Sequence, residues 1–140
     1  MRLRLLAPLL LLVNACEIGK DCTLIGCLNQ LTIEVTGAGD VIGLSGSVTV
    51  GGRTFVVDCD DPAATEVTCD GSAIIVQLAD GEGGGEVGWS LSADGADTGG
   101  QGYAGEGTFT PTWTTSEPNG PDCGPTCTSG VGEVALQGTP

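Results

Sequence analysis

Short runs of alternating apolar and polar residues recur along this chain, separated by glycine, proline and acidic residues. Leu31, Ile33 and Val35 point one way in an extended chain and Thr32 and Glu34 the other, so Leu28 to Thr36 reads as a first strand. Gly37-Ala38-Gly39-Asp40 then turns the chain. Leu44 to Val50 and Arg53 to Cys59 flank Gly51-Gly52, a pair that tolerates the positive φ of a tight hairpin. Across that turn Val48 and Val50 should face Phe55 and Val57. Ala73 to Leu78, with Ile74, Ile75 and Val76, is the most β-prone run, and Val87, Trp89 and Leu91 alternate in a further strand. From Tyr103 to Thr115, Phe109, Pro111 and Trp113 alternate with Thr108, Thr110, Thr112 and Thr114. That pattern predicts one strand with its threonine hydroxyls on a single face, and Pro111, which has no amide donor, puts it at a sheet edge or bulge. Ser116 to Cys127 reads as an irregular loop, and Val131 to Leu136 closes the chain.

Seven or so short strands with turns between them, and no helical periodicity, predict an all-β fold. The expected architecture is an antiparallel β-sandwich, immunoglobulin-like and stapled by disulfides, occupying residues 22–140 as one domain. The central Cys…Trp…Cys spacing of antibody domains is missing.

The amino terminus follows a different pattern. Arg2 and Arg4 precede an unbroken apolar run, Leu5 to Val13, and the run ends at Asn14-Ala15-Cys16. As a helix that run rises only about 14 Å, against a hydrocarbon core of roughly 30 Å, so it does not read as a spanning segment. Val13 and Ala15 are small enough for a signal peptidase to cut before Cys16. The stretch Leu12-Val13-Asn14-Ala15-Cys16 resembles the bacterial lipobox, although Asn14 stands where Ala, Ser or Thr is usual. The resemblance implies removal of residues 1–15, a lipid on Cys16, and a short acylated tether over residues 16–21. Glu17 to Asp21 reach at most about 18 Å when extended, so the domain should lie close to its membrane. Two or three acyl chains hold a protein on a bilayer where one holds it marginally. Glu17, in place of the aspartate that often retains such proteins at the inner membrane, points to the outer membrane of the cell envelope.

Charge narrows the partners. The formal net charge is −14, and loss of Arg2 and Arg4 would leave Lys20 and Arg53 as the only basic side chains. Without a basic patch, nucleic acid is excluded. The field also repels anionic lipid, so attachment must rest on acyl chains. Histidine is absent, which removes the usual general base and the commonest metal ligand. With 25 glycines and 7 prolines the chain approaches the composition of disordered segments, and crosslinks would offset that backbone entropy.

There are 7 cysteines. One assigned to lipid, Cys16, leaves an even set for pairing: Cys22, Cys27, Cys59, Cys69, Cys123 and Cys127. The preferred scheme is local, Cys22–Cys27, Cys59–Cys69 and Cys123–Cys127; its rival ties Cys22 or Cys27 to Cys123 or Cys127. A zinc site from the first and last pairs is disfavoured in an oxidising compartment, and no Cys-x-x-Cys redox motif is present. Gly37-Ala38-Gly39 is a turn rather than a dinucleotide fingerprint, because its third glycine, Gly43, comes one residue late and a strand follows. Three acidic groups could hold calcium: Asp58, Asp60 and Asp61; Asp80, Glu82 and Glu86; and Asp94 with Asp97. The simpler reading of each is solubilising charge, and no cofactor is expected. A carboxylate pair could serve glycoside hydrolysis, but 18 acidic residues make such a pair almost unavoidable by chance, so no enzyme is inferred. The threonine row beside Trp113 or Tyr103 could meet a glycan, though a solvated sheet face accounts for it.

The loop Glu117-Pro118-Asn119-Gly120-Pro121-Asp122-Cys123-Gly124-Pro125-Thr126-Cys127, with Gly107-Thr108-Phe109-Thr110-Pro111 before it and with Asp21-Cys22 and Gly26-Cys27, resembles small cysteine-containing lipoproteins of myxobacteria. The resemblance implies the same envelope address and a sandwich, and transfers no catalytic residue. The expectation is a lipid-anchored envelope module, structural or binding and without catalysis, whose partners are the membrane and an envelope protein or glycan. The alternative is a calcium- or carbohydrate-binding adhesion domain.

Overall fold

The computed structural model describes residues 25–39, 41–96 and 101–140. Cys16, Cys22, Asp40 and Asp97 lie outside them, as do the expected signal, lipidation site and tether. Ten strands make up the described fold: β1 Gln30–Thr36, β2 Val41–Val50, β3 Arg53–Asp58, β4 Val67–Asp70, β5 Ala73–Gln77, β6 Val87–Gly95, β7 Gly102–Phe109, β8 Thr112–Ser116, β9 Cys127–Ala135 and β10 Gln137–Gly138. They form two five-stranded sheets, ordered β4-β5-β1-β9-β8 and β10-β7-β6-β2-β3. The fold is all-β, a sandwich. Its pairings are antiparallel but for β1 with β9, which run parallel from Gln30↔Ser129 to Thr36↔Ala135.

Alternation built the core as expected. Leu31, Ile33, Ile74 and Val76 of the first sheet and Val48, Val50, Phe55, Val57 and Val87 of the second are each at most 2% exposed, and they join one apolar cluster. At about 25 cal/mol per Å² of apolar area, this shared interior is what holds the sheets together. The hairpin turns at Gly51-Gly52, with φ of 58° and 86°, and sets Val48 opposite Phe55.

Two departures concern strands. The run from Tyr103 to Thr115 is not one strand. It breaks at Thr110-Pro111, so β7 belongs to the second sheet and β8 to the first. Pro111 cannot donate to a ladder, and it is buried where the chain passes between sheets. The short β4 and β10 escaped the pattern because each offers at most one buried apolar residue.

The disulfides correct the local pairing scheme. Cys59–Cys69 forms as expected, closing the loop between β3 and β4, with a Cα separation of 5.5 Å. Cys27, however, bonds Cys127, at a Cα separation of 6.0 Å and 100 residues apart in sequence. Parallel pairing of β1 with β9 is the cause: it brings the start of the first strand beside the start of the ninth. Cys123 is also disulfide-bonded.

Candidate functional site

Three regions of the sandwich concentrate polar and aromatic groups. The first is the end where the described chain begins. Asn119 acts as a side-chain clamp on it: its carbonyl accepts from the Ile25 amide at 2.8 Å, and its Nδ2 donates to the carbonyls of Ile25 at 3.0 Å and Gly124 at 2.6 Å. The Cys27–Cys127 bond lies two residues further on. Asn29 continues the lacing, accepting from the Thr128 amide at 2.7 Å and donating to Asp80 at 2.8 Å. An amide side chain can imitate a strand partner, which is how an irregular loop holds an extended segment. Ile25 and Leu28 are exposed at this end, at 54% and 65%.

The second region is the seam where β3 and β4 meet at the edges of the two sheets. Besides the Cys59–Cys69 bond, Arg53 bridges it. Its Nη1 donates to both oxygens of Glu82, at 3.0 and 3.1 Å, and its Nη2 pairs with Glu66. The guanidinium also lies 4.6 Å from the centre of the Phe55 ring. Glu82 accepts from the Ala79 amide at 2.6 Å as well, and that bond, followed by Arg53, holds its carboxyl below the usual glutamate value. The Glu82 hydrogen bond, opposed by desolvation and aided by Glu66, raises the Arg53 pKa. Arg53 is the one basic residue among those described, and it is committed here.

The opposite seam is open. There the chain changes sheet twice, from β7 to β8 at Pro111 and from β9 to β10 at Leu136. β10 pairs with β7 only through Gln137↔Ala104 and Gly138↔Tyr103. The Thr139 amide donates to Gly102 O, and Gly95 N–H to Gln101 O, so even-numbered residues of β7 direct their backbone groups outward and odd-numbered ones toward β6. Glu106 and Thr108 therefore present amides and carbonyls past the end of β10. On the other wall, Leu136 N–H bonds Thr36 O, and the Thr36 hydroxyl bonds Val134 O. Glu133 and Ala135 consequently face away from β1, beyond the point where β8 pairing stops at Thr112↔Val131.

Between these two edges lies a groove of about 450 Å³. Trp89 and Phe109 line it, each seated against glycine. A Cβ at Gly105 would meet the Trp89 ring at 2.8 Å, and one at Gly132 would overlap the Phe109 ring. The glycines thus give two large rings room inside a narrow seam. Glu106 and Glu133 stand at its rim.

The residues singled out from the sequence are distributed differently. Asp58 and Asp61 accept from the backbone amides of Asp60 and Ala63, which makes them turn-forming groups, while Asp80 binds Asn29 and Glu82 binds Arg53. Among the described residues no three acidic, cysteine or histidine side chains gather as a metal set. The threonines do not share a sheet face, since Thr108 lies on β7 and Thr112 and Thr114 on β8. A hydroxyl-bearing face exists elsewhere, on the outside of β2, β3 and β6, where Ser45 meets Ser92 at 3.4 Å and Thr49 meets Thr54 at 3.0 Å. Trp113 is an anchor, its indole N–H donating to Gly85 O at 3.0 Å. The open groove was not foreseen; the glycines of β7 were its only trace in sequence. No family model, no curated protein and no solved structure matches this chain.

Proposed function

We propose that this protein is a lipid-anchored lipoprotein of the cell envelope, its β-sandwich acting as a structural or binding module without catalysis. The observation that carries the reading is the placement of Cys16 after a charged start and a short apolar run. The way the domain receives its amino-terminal segment supports it. A domain hung from acyl chains takes any pull on the membrane through that segment. Here Ile25 is clamped by Asn119, and Cys27 is covalently joined to β9. Tension would therefore pass into the central pairing of β1 with β9 rather than peel an edge strand. The exposed Ile25 and Leu28 suit the membrane-proximal side. Histidine, the commonest general base, is absent from the chain.

Cys16→Ser tests the anchor. Incorporation of labelled palmitate should cease and uncleaved precursor should accumulate. Membrane partitioning unchanged from the parent chain would refute the reading.

A further inference from the structure

We infer that the open seam is a docking site for an extended, basic segment of a partner protein, added as a strand to the free edge of β7. The fork geometry is the argument. The β10–β7 ladder pairs Gln137 with Ala104, and continued by the same register it would set Ala135 opposite Glu106 and Glu133 opposite Thr108. Instead β9 belongs to the other sheet, so both strands turn backbone donors and acceptors that are unpaired among the described residues into one groove. Unpaired strand edges are the standard template for strand addition, and the protein covers the β3–β4 side with a disulfide and Arg53 but leaves this side open. Main-chain bonds from the amides of Glu106 and Thr108 would supply affinity, and the Trp89 and Phe109 rings an apolar floor.

Charge selects the occupant. Glu106 and Glu133 stand at the rim, the chain carries a net −14, and the one described basic group is engaged at the far seam. A second copy of this chain would be repelled; a segment alternating lysine or arginine with apolar residues would be drawn in. This names the partner class for the binding module proposed above and rests on that reading only for its setting. A failure of palmitate labelling would leave peptide docking intact, and the reverse also holds.

The test uses the full chain in detergent and a blocked peptide of about six residues alternating lysine and valine. At saturation, hydrogen exchange at the Glu106 and Thr108 amides should slow by about tenfold or more. Thr108→Pro removes an outward-facing amide without touching the β6 ladder and should weaken binding about tenfold. Glu106→Gln with Glu133→Gln should weaken it by a similar factor and flatten its salt dependence, whereas Glu34→Gln with Asp70→Asn should leave both unchanged. The same peptide methylated on alternate amide nitrogens should not bind, which keeps the test decisive if Thr108→Pro folds poorly. Equal loss from both carboxylate pairs, tight binding of the methylated peptide, protection confined to other strands, or a dimer formed through the seam would each overturn the proposal.

Discussion

The two seams of the sandwich solve the same problem in opposite ways. Where β3 meets β4, the sheets are joined by the Cys59–Cys69 bond and by Arg53 held between Glu66 and Glu82. Where β7 meets β9, nothing covalent or ionic crosses among the described contacts, and closure depends on Trp89 and Phe109 packed against Gly105, Gly107 and Gly132. Polar staples tolerate water and hold an edge shut. Rings on glycine exclude water from the interior but leave the backbone beside them unpaired. The contrast teaches that a small, glycine-rich sandwich can reserve one side for stability and keep the other available for contact.

The largest way to break this contrast is through the disulfides. Removing Cys27–Cys127 with paired serines should cost up to about 4–5 kcal/mol, the value for a loop with a sequence separation of 100 that no second bond shortens, and less where the Cys123 disulfide holds the same strands. Removing Cys59–Cys69, with a separation of only 10, should cost about 2–3 kcal/mol. Denaturant midpoints measure both. Hydrogen exchange should localise the first loss to β1 and β9 and the second to β3 and β4; the reverse pattern would mean that the seams are not independent.

A smaller effect tests the ring-on-glycine closure. Gly132→Ala places a methyl group in the Phe109 ring and should destabilise by about 1–3 kcal/mol. Gly88→Ala, whose Cβ would find only Thr49 at 3.8 Å, should stay within about 0.5 kcal/mol of the parent. Thermal melts of the two variants side by side would show whether glycine is required at the open seam or merely frequent in these strands.

The smallest effect belongs to the ionic staple and is seen through pH. Glu82 has its pKa lowered in the folded state by the Ala79 amide and Arg53. A depressed carboxyl contributes stability above its unfolded value, near 4.3, and loses it as pH falls through the folded value. Glu82→Gln should therefore melt below the parent at neutral pH, and the gap should narrow as the solution is acidified through that range. A gap independent of pH would assign the loss to packing rather than charge.

Legibility in the sequence followed from how local each signal was. Leu31, Ile33 and Val35, or Val48, Val50, Phe55 and Val57, state their buried face by alternation alone, and Gly51-Gly52 states its turn. Cys59–Cys69 was readable because the loop between them is short. Cys27–Cys127 was legible only as one of the rival pairings, since nothing near either cysteine records that β1 and β9 lie side by side and parallel. The threonine row failed for a similar reason: alternation persists through Pro111 while the chain passes from one sheet to the other.

The order of residues by itself determined the β class, the main strands, the inward faces, the acidic surface and the charged, apolar start that ends at Cys16. All of these rest on periods of two residues or on composition. Tertiary structure alone decided which edges met. It paired the first strand with the ninth, split the threonine run between sheets, and opened a groove where β9 and β7 part. Such partners are chosen by the shared burial of distant residues, so no stretch of chain short enough to show a pattern contains the choice.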